Sequence, residues 1–250
     1  MNPKGKTALI TGGAHRVGKA ITLGLAQAGA NVAINYNTSA TAAEVTVAEA
    51  RALGVGALAI QADVGDYRQV EAMVNAVSVQ FGSVDILVNS ASLWLETPFP
   101  TDDLTDWHRV TNTLINGSFY CANAVAPLML EKGEGAIVNI IDLAAYEPWP
   151  NFIAHGVGKS ALLAMSRQLA LELAPAVRVN AVAPGPVLPP PDFSKEKIAR
   201  TADKTLLGKW GTPEDIAATV LFFVQADYVT GEDIAVDGGQ NIAHRKSEHG

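Results

Sequence analysis

Cysteine is almost absent from this chain of 250 residues, because Cys121 is the only one. A single cysteine excludes an internal disulfide and a thiolate metal cluster, and such usage is typical of the reducing cytoplasm. The five histidines show no metal-ligand spacing. The net charge of −7 leaves no basic excess for a nucleic acid or an anionic membrane surface. We therefore predict a cytoplasmic protein with no metal ion and with no nucleic-acid or membrane partner.

A membrane span is a second missing feature. The stretch from Ala20 to Ala43 carries no charge, but glycine, glutamine and asparagine interrupt it, and it divides into a helix, a turn and a strand. The first six residues lead directly into a strand and contain no apolar core like that of a signal peptide. We expect neither a targeting segment nor a transmembrane helix.

Short apolar runs alternate with helix-length periodic segments along the whole chain. Predicted strands cover 7–10, 31–36, 57–62, 85–89, 136–141, 178–183 and 234–236, and predicted helices cover 17–28, 40–53, 66–81, 106–131, 153–173 and 213–224. This alternation implies right-handed crossovers and a parallel sheet. With no repeat or linker, residues 1–250 are predicted to form a single α/β domain. Its expected architecture is a doubly wound, Rossmann-type parallel sheet with helices on both faces.

A glycine-rich turn, Thr11 to Gly18, joins the first predicted strand to the first predicted helix. Glycines let a backbone turn sharply and approach an anion, and the free N–H groups at a helix N-terminus favour a phosphate. The turn therefore predicts a dinucleotide site. The alternative is an ordinary strand-to-helix loop.

Several separated motifs resemble those of the short-chain dehydrogenase/reductase family. They are Thr11-Gly12 with Gly18, Asp63-Val64, Asn89-Ser90-Ala91-Ser92, Pro184-Gly185, and Thr230-Gly231 with Val236-Asp237-Gly238-Gly239. The resemblance covers nearly the whole chain and implies a nicotinamide dinucleotide cofactor. The cofactor-binding residues that it implies are Gly12, His15, Arg16, Val17, Gly18, Asn37, Ser39, Asp63, Val64, Asn89, Ser90, Ala91, Lys159, Pro184, Gly185 and Val187.

The end of the second predicted strand indicates which dinucleotide binds. An Asp or Glu there hydrogen-bonds the ribose diol of NAD and repels a 2′-phosphate. Here residues 35–39 read Asn-Tyr-Asn-Thr-Ser and contain no acid. Arg16 adds a positive charge in the opening turn, where the family usually has its middle glycine. We therefore predict NADP(H).

The family's active site consists of an asparagine, a serine, a tyrosine and a lysine, and the last two lie one helical turn apart. His155 and Lys159 occupy that spacing here, so the lysine is retained and the tyrosine is replaced. Asp142 falls at the serine position and Leu114 at the asparagine position. We predict Asp142, His155 and Lys159 as the catalytic residues.

These replacements resemble the pteridine reductase subgroup, which carries an arginine at the position of Arg16, an aspartate at that of Asp142 and an aromatic residue at that of Trp94. Indole, guanidinium and carboxylate groups suit a flat, nitrogen-rich heterocycle. The predicted substrate-binding residues are Arg16, Trp94, Asp142 and His155. The alternatives are that Trp94 only packs a loop and that Arg16 contacts only cofactor phosphate.

Two roles stay open between functional and structural interpretations. His155 could act as a general acid, or it could hydrogen-bond Asp142 and transfer no proton. Glu96, Trp149 and Phe152 could line the substrate cleft or only pack.

The expected function is an NADPH-dependent oxidoreductase that reduces a C=N or C=O bond of a planar heterocyclic small molecule. One alternative is a short-chain dehydrogenase acting on a non-pterin carbonyl or imine, and another is a catalytically weak NADP(H)-binding protein. The family resemblance also implies a homotetramer, with interfaces on the predicted helices 106–131 and 153–173.

Overall fold

One parallel sheet forms the centre of the molecule in a computed structural model that describes residues 1–246. Its strands are β1 (Thr7–Thr11), β2 (Asn31–Tyr36), β3 (Ala57–Gln61), β4 (Ile86–Asn89), β5 (Gly135–Ile140), β6 (Val177–Pro184) and β7 (Asp233–Val236). Their order is β3-β2-β1-β4-β5-β6-β7, and every neighbouring pair is parallel. The predicted Rossmann-type sheet is confirmed.

The connections between strands are mainly helical. The helices are α1 (Arg16–Gln27), α2 (Ala40–Ala52), α3 (Tyr67–Phe81), α4 (Thr105–Thr111), α5 (Ser118–Lys132), α6 (Ile153–Leu173), α7 (Lys195–Ala202) and α8 (Pro213–Gln225). Capping residues explain where two of the helices begin: Asp66 caps α3, and Thr212 forms a capping box with Asp215 at the start of α8. None of the helices within residues 1–246 combines the length and apolar character needed to cross a membrane.

Alternate side chains of β1 enter hydrophobic cores on opposite faces of the sheet. Ile10 packs in the core that includes residues of α1, α2 and α8, whereas Leu9 packs in the core that includes residues of α3, α5 and α6. Both side chains are fully buried, and each burial of this size contributes about 1.5–3 kcal/mol. The period of two along a strand thus places helices on both faces, as predicted.

The main departures from the predicted elements concern two α-helical regions. The single helix predicted over 106–131 is interrupted between α4 and α5 by a π-helical segment, Asn112–Gly117. A continuous α-helix was predicted because a short π-helical insertion only shifts the phase of the apolar pattern and does not end it. The helix α7 was not predicted because it has no buried residue and therefore no apolar periodicity facing a core.

The strand order changes direction at β1, because β2 and β3 lie on one side of it and β4 to β7 lie on the other. Ile10 pairs with Ile34 of β2, and Thr11 pairs with Asn89 of β4 on the other side. Open α/β sheets bind ligands outside the carboxyl ends of the strands at such a switch point. The glycine-rich turn after β1 and the segment after β4 therefore meet where a ligand is expected.

Candidate active site

The glycine-rich turn has no room for side chains at its key positions. A Cβ atom on Gly18 would lie 2.2 Å from the carbonyl oxygen of Gly12, and one on Gly12 would lie 3.0 Å from the Cα atom of Ala91. The helix α1 starts here with no side-chain cap bond and no acidic residue in its first turn. Its N-terminal N–H groups are thus available to an anion, and the turn fits the pyrophosphate of a dinucleotide.

Two side chains outside the predicted set hold this turn in place. Thr11 Oγ1 accepts hydrogen bonds of 3.0 Å from the backbone N–H groups of Ser90 and Ala91. Asn35 Oδ1 accepts a 3.3 Å hydrogen bond from the backbone N–H of Gly12. The sequence signal for both is a polar residue at or near the carboxyl end of an otherwise apolar strand.

Arg16 has a backbone conformation that is unusual for a side-chain-bearing residue. Its φ of +53° lies in the left-handed region, which costs a non-glycine residue about 1–2 kcal/mol. This agrees with the expectation that the position usually holds glycine. The exposed guanidinium donates a 3.1 Å hydrogen bond to the carbonyl oxygen of Leu188, in the connection after β6. Arg16 therefore joins the glycine-rich turn to the predicted substrate-side loop.

The remaining predicted cofactor residues lie along the carboxyl edge of the sheet. They are His15 and Val17 at the start of α1, Asn37 and Ser39 between β2 and α2, Asp63 and Val64 after β3, Asn89, Ser90 and Ala91 at the end of β4, and Pro184, Gly185 and Val187 at the end of β6. Ser39 makes no side-chain cap bond to α2. Asn89 Oδ1 is buried and has no hydrogen-bond partner within residues 1–246. Both features fit a polar dinucleotide along this edge.

The predicted catalytic residues come together between β5 and α6. Asp142 follows β5, and His155 and Lys159 lie one turn apart on α6. His155 Nε2 is 2.6 Å from Asp142 Oδ2, and Lys159 Nζ donates a 2.8 Å hydrogen bond to the Ile140 carbonyl oxygen. The shared helix face that the spacing predicts is therefore observed.

The charges of this cluster favour an ionised carboxylate. Burial would raise the pKa of Asp142, but the hydrogen bond with His155 and the positive charge of Lys159 outweigh it and hold the pKa below its ordinary value. Asp142 Oδ1 also accepts a 3.0 Å hydrogen bond from the backbone N–H of Ala144. Burial lowers the pKa of Lys159, and the nearby Asp142 charge opposes this effect. The carboxylate side chain is still 17% exposed.

Leu114, at the family's asparagine position, packs against α6. It is buried in the π-helical segment, and a Cβ atom on Gly158 would lie 2.7 Å from its Cδ1 atom. The two neighbouring asparagines bond elsewhere: Asn112 donates to the Gly65 carbonyl oxygen at 3.1 Å, and Asn116 donates to Asn112 Oδ1 at 2.8 Å. An apolar contact thus replaces a polar side chain at this position.

An aromatic cluster adjoins His155. The ring centroid of Trp94 lies 4.4 Å from that of Phe152, 5.3 Å from that of Trp149 and 4.8 Å from that of His155. Trp94 remains 57% exposed. We call Trp94, Trp149 and Phe152 the aromatic wall. Glu96 is exposed on the same segment as Trp94.

Comparison with known proteins gives the family. The family model described as enoyl-(acyl carrier protein) reductase matches residues 12–241. The chain belongs to the short-chain dehydrogenase/reductase family. Membership agrees with the parallel sheet and with the motifs at its carboxyl edge.

Individual short-chain dehydrogenases/reductases are similar over nearly their whole length. A 3-oxoacyl-[acyl-carrier-protein] reductase, FabG, of Staphylococcus aureus is 36% identical over 239 residues, covering 94% of this chain and 97% of the relative. The 3beta-hydroxysteroid dehydrogenase 1 of Eggerthella lenta is 35% identical, covering 96% and 95%. The crystal structure of FolM alternative dihydrofolate reductase 1 from Brucella suis, in complex with NADP, has a TM-score of 0.90 at 35% identity and covers 97% of both chains.

Proposed function

We propose that this protein is an NADPH-dependent reductase that reduces a C=N or C=O bond of a planar heterocycle, as pteridine reductases do. The observation that carries the proposal is the partly exposed carboxylate of Asp142. It contacts His155, and the ring of His155 in turn packs against Trp94 of the aromatic wall. A carboxylate beside indole rings suits a flat molecule with ring N–H and amino groups. The similarity to the Brucella FolM reductase supports this substrate class.

The preference for NADPH is supported by the chain's own residues. The segment between β2 and α2 has no acid that would repel a 2′-phosphate, and α2, which follows Ser39, has no acidic residue in its first turn. The glycine-rich turn supplies the pyrophosphate cradle. Bound NADPH would supply the hydride, and the solved FolM structure contains NADP.

The proposed tasks of the other residues follow from their burial and charge. Lys159 is a buried side chain beside the carboxylate, and the family resemblance assigns it the ribose of the cofactor. Trp94 presents an exposed indole on which a planar ring can stack. Asp142 would accept hydrogen bonds from substrate N–H groups and orient the ring for reduction. The proton that accompanies the hydride would be delivered at the same carboxylate.

The test is NADPH oxidation by the purified full-length chain with three substrates: a dihydropterin, a 3-oxoacyl thioester and a 3-oxosteroid. We expect kcat/KM to be at least about tenfold higher for the dihydropterin. Trp94→Leu should raise KM for the dihydropterin by about 2- to 10-fold, because aromatic stacking contributes about 0.5–1.5 kcal/mol. Tyr228→Leu removes another exposed aromatic side chain and serves as the control. Failure to oxidise NADPH with any dihydropterin would refute the proposal.

A second candidate function is reduction of a non-pterin carbonyl. It is favoured by the relatives that are a 3-oxoacyl-[acyl-carrier-protein] reductase and a 3beta-hydroxysteroid dehydrogenase. A preference for the thioester or the steroid in the same assay would establish it. Tight NADPH binding without turnover on any substrate would instead favour a cofactor-binding protein.

We also propose that the chain assembles as a homotetramer through α5 and α6. These helices carry exposed apolar side chains, namely Phe119, Leu130, Ile153, Val157 and Leu171. Exposed apolar surface of this kind is typical of protein–protein interfaces. Light scattering of the purified protein tests the assembly, and a monomeric mass would refute it. The cytoplasmic location stays a prediction.

A further inference from the structure

Both ring nitrogens of His155 are engaged inside the protein. Nδ1 lies 3.2 Å from the carbonyl oxygen of Leu93, and Nε2 lies 2.6 Å from Asp142 Oδ2. A carbonyl oxygen can only accept a hydrogen bond, so Nδ1 must carry a hydrogen. Nε2 and Oδ2 then hold one proton between them. Neither ring nitrogen is free to contact a substrate.

The Leu93 carbonyl is held by contacts between the segment after β4 and the segment before α6. The backbone N–H of Thr97 donates to the Asn151 carbonyl oxygen at 2.7 Å, and Thr97 Oγ1 accepts from the backbone N–H of Ala154 at 3.0 Å. Thr97 itself is buried. These bonds fix the chain beside the imidazole, so the Leu93 carbonyl determines which ring nitrogen faces the carboxylate.

Aromatic rings cover the imidazole of His155, so the Asp142 carboxylate connects the imidazole to the cleft. The His155 side chain is 1% exposed, whereas that of Asp142 is 17% exposed. Trp94 approaches the imidazole edge-on, and Trp149 lies parallel to it, with 10° between the planes and 6.2 Å between the centroids. Solvent or a substrate therefore reaches the Nε2 proton through Asp142.

The titratable side chains nearest the imidazole in sequence and contacts are Asp142, Lys159 and Glu147. Asp142 contacts it directly, and Lys159 lies one turn further along α6. Glu147 is farther away and accepts a 3.3 Å hydrogen bond from Trp149 Nε1. Of the three, only Asp142 has a hydrogen bond to the ring, so its carboxylate and the imidazole form one proton-holding pair.

We propose that His155 is a positioning residue that holds a proton for Asp142, and that Asp142 is the catalytic residue that transfers it to the substrate. This inference rests on the proposed function. In the reduction of a C=N bond, the substrate carbon receives the hydride from reduced nicotinamide, and the π electron pair moves to nitrogen. The one proton of the pair leaves Nε2, passes to Oδ2 and bonds to the substrate nitrogen, which leaves a neutral imidazole with hydrogen on Nδ1 and an ionised carboxylate. Solvent then returns one proton to the pair through the partly exposed carboxylate.

The kinetic test uses His155→Gln, which keeps an amide donor for the carboxylate but holds no transferable proton. We expect kcat to fall at least about 100-fold, the usual minimum for losing acid–base assistance, with KM changed less than about twofold. The pH dependence of kcat should also lose one limb. His108→Gln, on the exposed face of α4, is the matched control and should leave both unchanged. A purely structural role predicts that His155→Gln keeps the wild-type kcat and pH profile, which would overturn the inference.

A second test needs no cofactor, and its main measurement is made on the wild-type chain. Nitrogen NMR of the free, histidine-labelled chain reports which ring nitrogens carry hydrogen. We expect Nδ1 of His155, which faces the Leu93 carbonyl oxygen, to carry a hydrogen, and Asp142→Asn to shift the Nε2 signal but not the Nδ1 signal. An unprotonated Nδ1 would overturn the inference while leaving a dihydropterin reductase intact. Inactivity of the wild-type chain on every substrate would instead overturn the proposed function, and the proton transfer with it.

Discussion

Gly158 and Leu114 form a contact between α6 and the π-helical segment that can be tested from both sides. A Cβ atom added at Gly158 would lie 2.7 Å from Leu114 Cδ1 and 2.9 Å from its Cβ atom, distances that real Cβ atoms essentially never show. Leu114 is fully buried, so its side chain cannot relieve the contact by turning towards solvent. Gly158→Ala must therefore displace either the leucine or α6, the helix that carries His155 and Lys159.

Two contributions of opposite sign determine the change in the free energy of unfolding. Gly158→Ala gains about 1 kcal/mol of helix propensity, whereas overpacking a filled core costs about 1–3 kcal/mol. Leu114→Ala alone should cost about 2–5 kcal/mol because it leaves a cavity. In the Leu114→Ala background the contact with Cδ1 disappears and the 2.9 Å contact with the Cβ atom remains, but the cavity gives that atom room to move, so Gly158→Ala should cost less there than in the wild type. The two substitutions are thus expected to couple by about 0.5–3 kcal/mol.

Urea unfolding of the wild type, both single variants and the double variant measures this coupling. All four should be compared at the same protein concentration, because assembly would shift the apparent stability. Gly158→Ala should also lower kcat in the wild-type background, since the displaced helix carries His155 and Lys159, for which we propose roles in the reaction. An equal effect of Gly158→Ala on stability in both backgrounds would show that the Leu114 side chain does not fill the space beside Gly158.

Three further predictions concern other parts of the chain. Arg16→Gly should leave stability unchanged or raise it by up to about 1–2 kcal/mol, because it removes the left-handed strain. It should also raise KM for the substrate, since the bond to the Leu188 carbonyl is lost; urea unfolding and steady-state kinetics measure the two effects. Burial would raise the pKa of Asp85, but the hydrogen bond from Lys132 and bonds to neighbouring groups outweigh it and lower the pKa. The resulting stability is present above the unfolded-state pKa of about 4 and is lost as the pH falls through the lower folded-state pKa, so Asp85→Asn should flatten the acid limb of a stability curve. Burial raises the pKa of Cys121 to about 12, so iodoacetamide should modify it only after unfolding, as mass spectrometry can report.

Each of these expectations has an outcome that contradicts it. A stability loss in Arg16→Gly would mean that the bond to Leu188 outweighs the strain. An unchanged acid limb in Asp85→Asn would show that Lys132 does not favour the charged carboxylate. Modification of Cys121 in the folded chain at the rate of a free thiol would mean that α5 opens readily.

Much of the candidate site could be located from the sequence because its residues follow strands. The carboxyl ends of parallel strands meet at one edge of the sheet, so Gly12, Asn89 and Pro184 had to lie on that edge once the strands were identified. The spacing of His155 and Lys159 likewise placed both on one face of α6. The contacts of Thr11 with Ser90 and Ala91, and of Asn35 with Gly12, were missed because a short polar side chain at the end of a strand can bond to many kinds of partner.

The sequence by itself determined the fold class, the order of the strands and the position of the glycine-rich turn, because apolar period and glycine placement are local properties. The proposed catalytic residues Asp142, His155 and Lys159 were located by the spacing of motifs that resemble those of the family. The tertiary structure decided the features that depend on distant groups. The Leu93 carbonyl that fixes the ring of His155 is a backbone atom, which every residue type carries, and it is brought near only by folding across 62 positions of the chain. The same reason applies to the bond from Arg16 to Leu188 and to the packing of Leu114 on Gly158.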